Sequence, residues 1–320
     1  MGKVDMGRWP AVRRGNAGKT PMIGPRHSGT ALLVIVSILL LCADRHTARS
    51  EERASNPAQP AAMSCQRSAF RVVVDVGHTL NAPGAISARG VTEYAFNLQL
   101  AQQVKQALVD AGFDKTVLLI TEKNPLGGLV ERAMRANAMP ADLFISIHHD
   151  SVPDYLMETW EYEGQQNHFS DRFKGYALFI SNDNADRAGS LLFGKFLGKE
   201  LQARGVQYTP HYTLELMGHR RRELVDAVAG VYRYDALIVL RSTRMPALLL
   251  EAGSIVNRQE ELELASPERR TLMSAAVAAA VEEFCAARSH PKIERLVKRP
   301  VAPPRARAQS GAINSAPIPH

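Results

Sequence analysis

The sequence predicts an α/β fold: a single domain with a twisted, mainly parallel central sheet covered by helices on both faces. Three short apolar runs point to it. Val72–Val73–Val74–Asp75–Val76 runs into Gly77–His78, Leu143–Phe144–Ile145–Ser146–Ile147 into His148–His149–Asp150, and Ala247–Leu248–Leu249–Leu250 into Glu251–Ala252–Gly253. The segments between them carry apolar residues at helical spacing. Strands alternating with helices imply parallel pairing. Parallel strands bring their carboxyl ends to one edge, where polar side chains can share a site.

The elements follow in chain order. Phe70–Val76 reads as a strand and 81–90 as a loop of Gly, Pro and Ser. A helix is expected from about Thr92 to Ala111, because Phe96, Leu100, Val104 and Ala107 keep its period and Gly112 stops it. Thr116–Thr121 reads as a strand, Leu126–Met139 as a helix closed by Pro140, and Leu143–His148 as a strand. Residues 152–187 mix Tyr155, Trp160, Tyr162, Phe169 and Phe173 with many polar residues and end in a strand over Gly175–Ser181. Ser190–Arg204 is helical in pattern. Val206–Arg222 is polar and irregular, Ala236–Arg241 and Ala247–Glu251 read as strands, and Arg258–Ala265 and Pro267–Ala287 as closing helices.

Charge separates the tails from the domain. The 320-residue chain carries a formal +7, yet residues 1–46 and 289–320 each contribute +5, and residues 65–288 sum to −3. A mildly acidic domain argues against nucleic-acid binding. Residues 1–48 read as a signal peptide: basic residues precede an apolar run from Ala31 to Ala43, too short for a comfortable membrane span. An uncleaved anchor is the competing reading, and Met22 would make a tidier start. Leu41 before Cys42 argues against lipidation. Residues 49–64 read as a linker and 65–288 as the folded domain. Residues 289–320 form a basic tail rich in Pro, Ala and Arg, suited to weak association with an anionic wall or membrane surface. Export to the periplasm or cell wall makes a Cys65–Cys285 disulfide the expectation over two unrelated buried thiols.

Four residues stand out chemically. His78 and His148 follow apolar strands, Glu93 opens the next helix, and Glu251 ends a leucine run where a carboxylate is costly unless paired or beside a cation. Taken singly, His78 reads as a loop residue and Glu93 as an ordinary helix-start acid. Together, two imidazoles and carboxylates at strand ends match the ligand set of a catalytic zinc. His149 neighbours His148, but adjacent strand residues point to opposite sides, so only one of the two joins the site easily; the motif register described below favours His148 and leaves His149 a surface or supporting role ahead of substrate contact. His211 and His219, with Arg220–Arg222, read as solvated loop positions.

These motifs resemble the Amidase_3 type of zinc-dependent N-acetylmuramoyl-L-alanine amidase. The resemblance rests on Asp75–Val76–Gly77–His78, Gly84–Ala85 and Glu93, then Leu129, Arg132, Ala136 and Asn137. It continues with Ser146–Ile147–His148 and Asp150, then Leu240–Arg241, Pro246, Leu250–Glu251–Ala252–Gly253 and Asn257. The resemblance implies that His78, Glu93 and His148 bind Zn2+ and that Glu251 is the catalytic acid/base. Arg132 and His149 are expected to contact substrate or to support the site from behind. The implied reaction is hydrolysis of the amide between N-acetylmuramic acid and L-alanine in peptidoglycan. Three positions depart from the usual pattern: Val76 for Pro, His149 for Ala, and Ala252–Gly253–Ser254 for an aliphatic–Gly–Phe run. Residues 152–187 exceed a minimal version and are expected to shape or cover the groove. A zinc peptidase acting on stem peptides and a non-catalytic wall-binding protein are the alternatives. No activating partner can be read from the sequence.

Overall fold

The computed structural model describes residues 65–122 and 125–289. The expected signal peptide over 1–48, the expected linker over 49–64 and the expected basic tail beyond Ser289 lie outside the described residues. Among the described residues, no helix is long and apolar enough to cross a membrane.

The elements run β1 (Val72–Val76), α1 (Glu93–Asp110), β2 (Val117–Leu119), α2 (Pro125–Asn137) and β3 (Leu143–Asp150). A hairpin of β4 (Glu158–Tyr162) and β5 (Gln165–Phe169) follows, then β6 (Ala177–Ile180) and α3 (Arg187–Ala203). Two 3-10 turns, His211–Thr213 and Glu215–Arg220, lead to β7 (Glu223–Asp226) and β8 (Val231–Arg233). The chain closes with α4 (Ile238–Arg241), β9 (Ala247–Ser254), α5 (Arg258–Ala265) and α6 (Pro267–Arg288).

Seven strands form one sheet in the order β2-β1-β3-β9-β6-β8-β7. β1, β2, β3 and β9 are parallel neighbours, β6 runs antiparallel to β9 but parallel to β8, and β7 is antiparallel to β8. The period of two splits each strand between two cores. Val72, Val74, Val76, Ile145, Ile147, Leu248 and Leu250 pack beneath α1, α3 and α6. Val73, Phe144, Leu249 and Phe179 pack on the other face against Ala136 of α2, Val239 and Leu240 of α4, and Tyr212.

Local signals set the helix ends. The Ser266 side chain accepts from the Arg269 amide with Pro267 in the first turn of α6, and Asn257 caps α5 through the Gln259 and Glu260 amides. Cys65 and Cys285 are disulfide-bonded, tying the segment before β1 to α6 across 220 residues. A loop that long lets the bond stabilise the fold by up to about 5 kcal/mol in the chain-entropy model.

Three local expectations change. Ala236–Arg241 holds a helical turn instead of a strand, since an apolar run this short carries no decisive period. Val206–Arg222 contains the two 3-10 turns, and the short polar edge strand β7 beyond it gives little sequence signal. Residues 152–187 hold the β4–β5 hairpin, whose turn places Glu163 and Gly164 both at positive φ, the geometry of a two-residue type I′ turn.

Candidate active site

β1, β3 and β9 lie side by side in parallel, so His78, His148 and Glu251 meet at one sheet edge. His148 is the direct register partner of Glu251. Glu93 enters the same edge as the first residue of α1, oriented by the Ala85 carbonyl, which accepts the Glu93 amide at 2.8 Å.

The Glu93 carboxylate joins the two imidazoles. Its Oε2 lies 2.9 Å from His78 Nε2, and its Oε1 lies 3.0 Å from His148 Nδ1. The Ala85 amide donates to Oε2 at 3.1 Å, while Asn97 Nδ2 and the His149 amide donate to Oε1 at 3.3 and 3.4 Å. Burial pushes the Glu93 carboxyl up, but the hydrogen bonds and charges of His148 and His78 outweigh it and hold it well below the usual carboxylate range. Burial lowers His148, with Glu93 opposing.

Close approach at this site requires glycine twice. A Cβ on Gly77 would overlap the His148 ring, and one on Gly84 would overlap Glu93 Oε2 and the His78 ring. His78 itself sits in the left-handed region at φ 64°, a conformation that costs a non-glycine residue and persists only where neighbours enforce it. Arg132 supplies that enforcement by donating to the His78 carbonyl and, through Nε, to Thr121 Oγ1 at 3.0 Å. The same Nε lies 3.5 Å from Asp75 Oδ1, and Asp75 Oδ2 accepts from Ser146 Oγ at 2.7 Å. Burial pushes Asp75 up to about 6, opposed chiefly by Arg132. Arg132 is 3% exposed and does not line the cleft.

His149 points to the α1 side of the sheet, as strand alternation requires. Its ring packs against Phe96, and its Nδ1 lies 2.8 Å from Asn97 Oδ1. Burial lowers it to about 3, so it is neutral and donates to Asn97, which in turn donates to Glu93.

The residues fit a divalent cation. Two imidazoles and one carboxylate offer ligand atoms all within 4.8 Å of one another. The glycine cradle leaves them unobstructed, and two imidazoles with one carboxylate form a donor set that would suit zinc.

Glu251 faces the same cleft from β9. Its Oε2 is buried with no hydrogen-bond partner among the described residues. Burial first, then the charges of Asp150 and Glu93, raise it well above the usual carboxylate range, with Arg220 opposing. Beside it lies Asp150 of the second histidine motif, with a buried neighbour, His211, that the sequence reading placed in solvent. Asp150 accepts from Tyr212 at 2.7 Å, and its Oδ2 lies 3.3 Å from His211 Nε2 without a hydrogen bond closing between them. His211 is 1% exposed and meets Thr209 at 2.6 Å, not solvent as expected. Its apolar surroundings, including the Phe173 ring at 5.1 Å, lie in segments without regular period, so no sequence signal marked it as buried.

The cleft holds about 950 Å3. Its floor carries His78, Glu93, His148 and Glu251. The β4–β5 hairpin lines it with Glu158, Thr159, Gln166, Asn167 and His168. Trp160 anchors that hairpin by donating to the Ala88 carbonyl at 2.8 Å, and the Arg258 guanidinium lies 3.7 Å over the Phe169 ring.

Comparison with known proteins agrees with this architecture. The chain is 25% identical over 237 residues to the N-acetylmuramoyl-L-alanine amidase AmiC of Neisseria meningitidis serogroup B, covering 67% of this chain and 52% of that protein. It is 27% identical over 218 residues to the probable N-acetylmuramoyl-L-alanine amidase AmiB of Haemophilus influenzae, covering 62% and 48%. It thus spans about half the length of these curated relatives. The crystal structure of the apo form of the amidase Ami1 from Mycobacterium abscessus superposes with a TM-score of 0.52 at 22% identity, covering 67% of this chain and 98% of that one, and shares its fold. The family model for N-acetylmuramoyl-L-alanine amidase, Amidase_3, matches residues 72–283, and the chain belongs to that family.

Proposed function

We propose that this protein is an exported, zinc-dependent N-acetylmuramoyl-L-alanine amidase acting on peptidoglycan. The observation that carries the reading is the meeting of His78, Glu93 and His148 with an unpaired, raised Glu251 in one cleft. An amide is a poor electrophile, and its departing nitrogen needs a proton, so the site must supply both a nucleophile and an acid.

His78, Glu93 and His148 would hold the zinc. Bound there, the ion lowers the pKa of water from about 15.7 to about 7 and polarises the scissile carbonyl. Glu251 takes the proton of the attacking water and hands it to the leaving L-alanine nitrogen. Its burial, which raises its pKa, and its unpaired oxygen suit a group that must both accept and release a proton. Arg132 fixes His78 through its backbone, and His149 fixes Glu93 through Asn97. Both are positioning residues. The hairpin wall presents amides and an imidazole suited to polar glycopeptide.

The same proposal covers the rest of the chain. Residues 1–48 direct export, 49–64 link, 65–288 catalyse, and the basic tail holds the enzyme weakly at anionic wall or membrane surfaces. The formed Cys65–Cys285 bond supports an oxidising compartment. The test is digestion of purified sacculi with residues 49–320, with and without a zinc chelator. Release of free stem peptides that the chelator abolishes is the expected result. Release of stem-peptide fragments only would favour the peptidase.

A further inference from the structure

We infer that Arg220 selects substrates by binding the first free carboxylate on the leaving peptide beyond L-alanine. This rests on the amidase reading and adds to it a specificity determinant for the same cleft.

The cleft is electrostatically one-sided. Its lining carries the carboxyl groups of Glu93, Asp150, Asp154, Glu158 and Glu251, and Arg220 is the single Lys or Arg among the described lining residues. Away from the proposed metal, an anionic group entering this groove meets one side-chain cation among the described lining residues, Arg220. Arg220 is also available. Its side chain is about one third exposed, and its approach to Asp150 Oδ1 is long, at 3.9 Å. Among the described residues its guanidinium makes no hydrogen bond, which leaves a planar fork of donors facing the cleft, the geometry that reads a carboxylate in two parallel bonds.

The backbone around it is fixed. Gly218 breaks the 3-10 segment at φ 53° and ψ −124°, a left-handed conformation that favours glycine. The Tyr155 hydroxyl donates to the Leu216 carbonyl at 2.6 Å, and the Arg222 amide to the Tyr212 carbonyl at 2.7 Å. Arg220 is therefore presented from a braced turn, beside Asp150 and close enough to act on Glu251. Asp150, which Arg220 approaches, stands two residues beyond His148 on β3, and an extended residue spans only about 3.5 Å, so the carboxylate it meets lies within about a residue or two of the scissile amide.

The test compares two N-acetylmuramoyl peptides that differ at one group: the first free carboxyl beyond L-alanine is a carboxylate in one and a carboxamide in the other. The wild-type, zinc-loaded protein should favour the carboxylate by about tenfold or more in kcat/KM. Arg220→Gln should collapse that ratio toward one through a rise in KM for the carboxylate substrate alone, and Arg220→Lys should restore part of it. A wild-type ratio near one overturns the inference. So does an Arg220→Gln variant that loses kcat equally on both substrates, because Arg220 would then be serving Glu251. A wild type that cleaves neither peptide overturns the amidase reading itself.

Discussion

The two halves of the cleft floor are built on opposite principles. Around Glu93, every carboxylate oxygen is met: two imidazoles, two backbone amides and Asn97 converge on it. Around Glu251, demand goes unmet. Glu251 Oε2, Asp150 Oδ2 and His211 Nε2 are all buried without hydrogen-bond partners among the described residues. Burial acts on both carboxylates in the same direction, yet Glu93 ends well below the usual range and Glu251 well above it. A satisfied, permanently ionised carboxylate suits holding a cation. An unsatisfied one whose charge is costly suits moving a proton. The contrast supports the roles proposed for the two acids more firmly than their residue type does.

Breaking the satisfied half should have the largest effect. A His78→Ala, His148→Ala double variant should lose its zinc, from about one ion per chain to none, and all activity with it. Metal analysis by mass spectrometry checks this, and retained zinc would place the metal elsewhere. Breaking the other half should separate chemistry from binding. Glu251→Gln is nearly isosteric and should keep zinc and fold while turnover falls about 10²–10⁴-fold. Turnover close to wild type would mean that another group handles the proton.

The contrast also explains what was legible in the sequence. His78, His148 and Glu251 could be read because each ends an apolar strand, and a period of two fixes which neighbour shares its face. That rule allowed only one of His148 and His149 to join the site easily, and the resemblance to the amidase motif favoured His148. Asn97 was not singled out, although its spacing of four from Glu93 on one helix face was a usable signal. His211 was misread as solvated and the place of Arg220 on the cleft went unread, because both sit in 3-10 turns where no period reports which side faces inward. The α/β class followed from strand–helix alternation. The β4–β5 hairpin, the edge strand β7 and its neighbour β8 did not, being too short for a period to show, and the hairpin is held by tertiary contacts such as Arg258 on Phe169.

Two smaller effects sharpen the comparison. Asn97→Leu removes the link between His149 and Glu93 while leaving the ligands in place. It should weaken zinc binding about 10–100-fold, the usual cost of losing a group that orients a ligand, as read by competition with a chromophoric chelator. An unchanged affinity would show that the backbone amides alone hold Glu93. His211 provides a pH signature for the unmet half. Burial lowers it to about 4 from an ordinary 6.5, so between those values the unfolded chain binds the proton that the folded protein refuses. Stability from this group is full above about pH 6.5 and falls as pH drops toward 4, by up to about 3 kcal/mol. His211→Gln should flatten that decline in urea melts of metal-free protein at pH 7 and 4.5. An equal decline in both proteins would assign the acid sensitivity to other groups.

The central claim is that these two unlike halves act together on one bond, and the products of a single defined substrate test it most directly. Mass spectrometry of an N-acetylmuramoyl peptide incubated with the zinc-loaded protein should show intact peptide with a free L-alanine amino terminus, alongside N-acetylmuramic acid with a free lactyl carboxylate. Cleavage between amino acids of the stem, with the lactyl amide intact, would contradict the account.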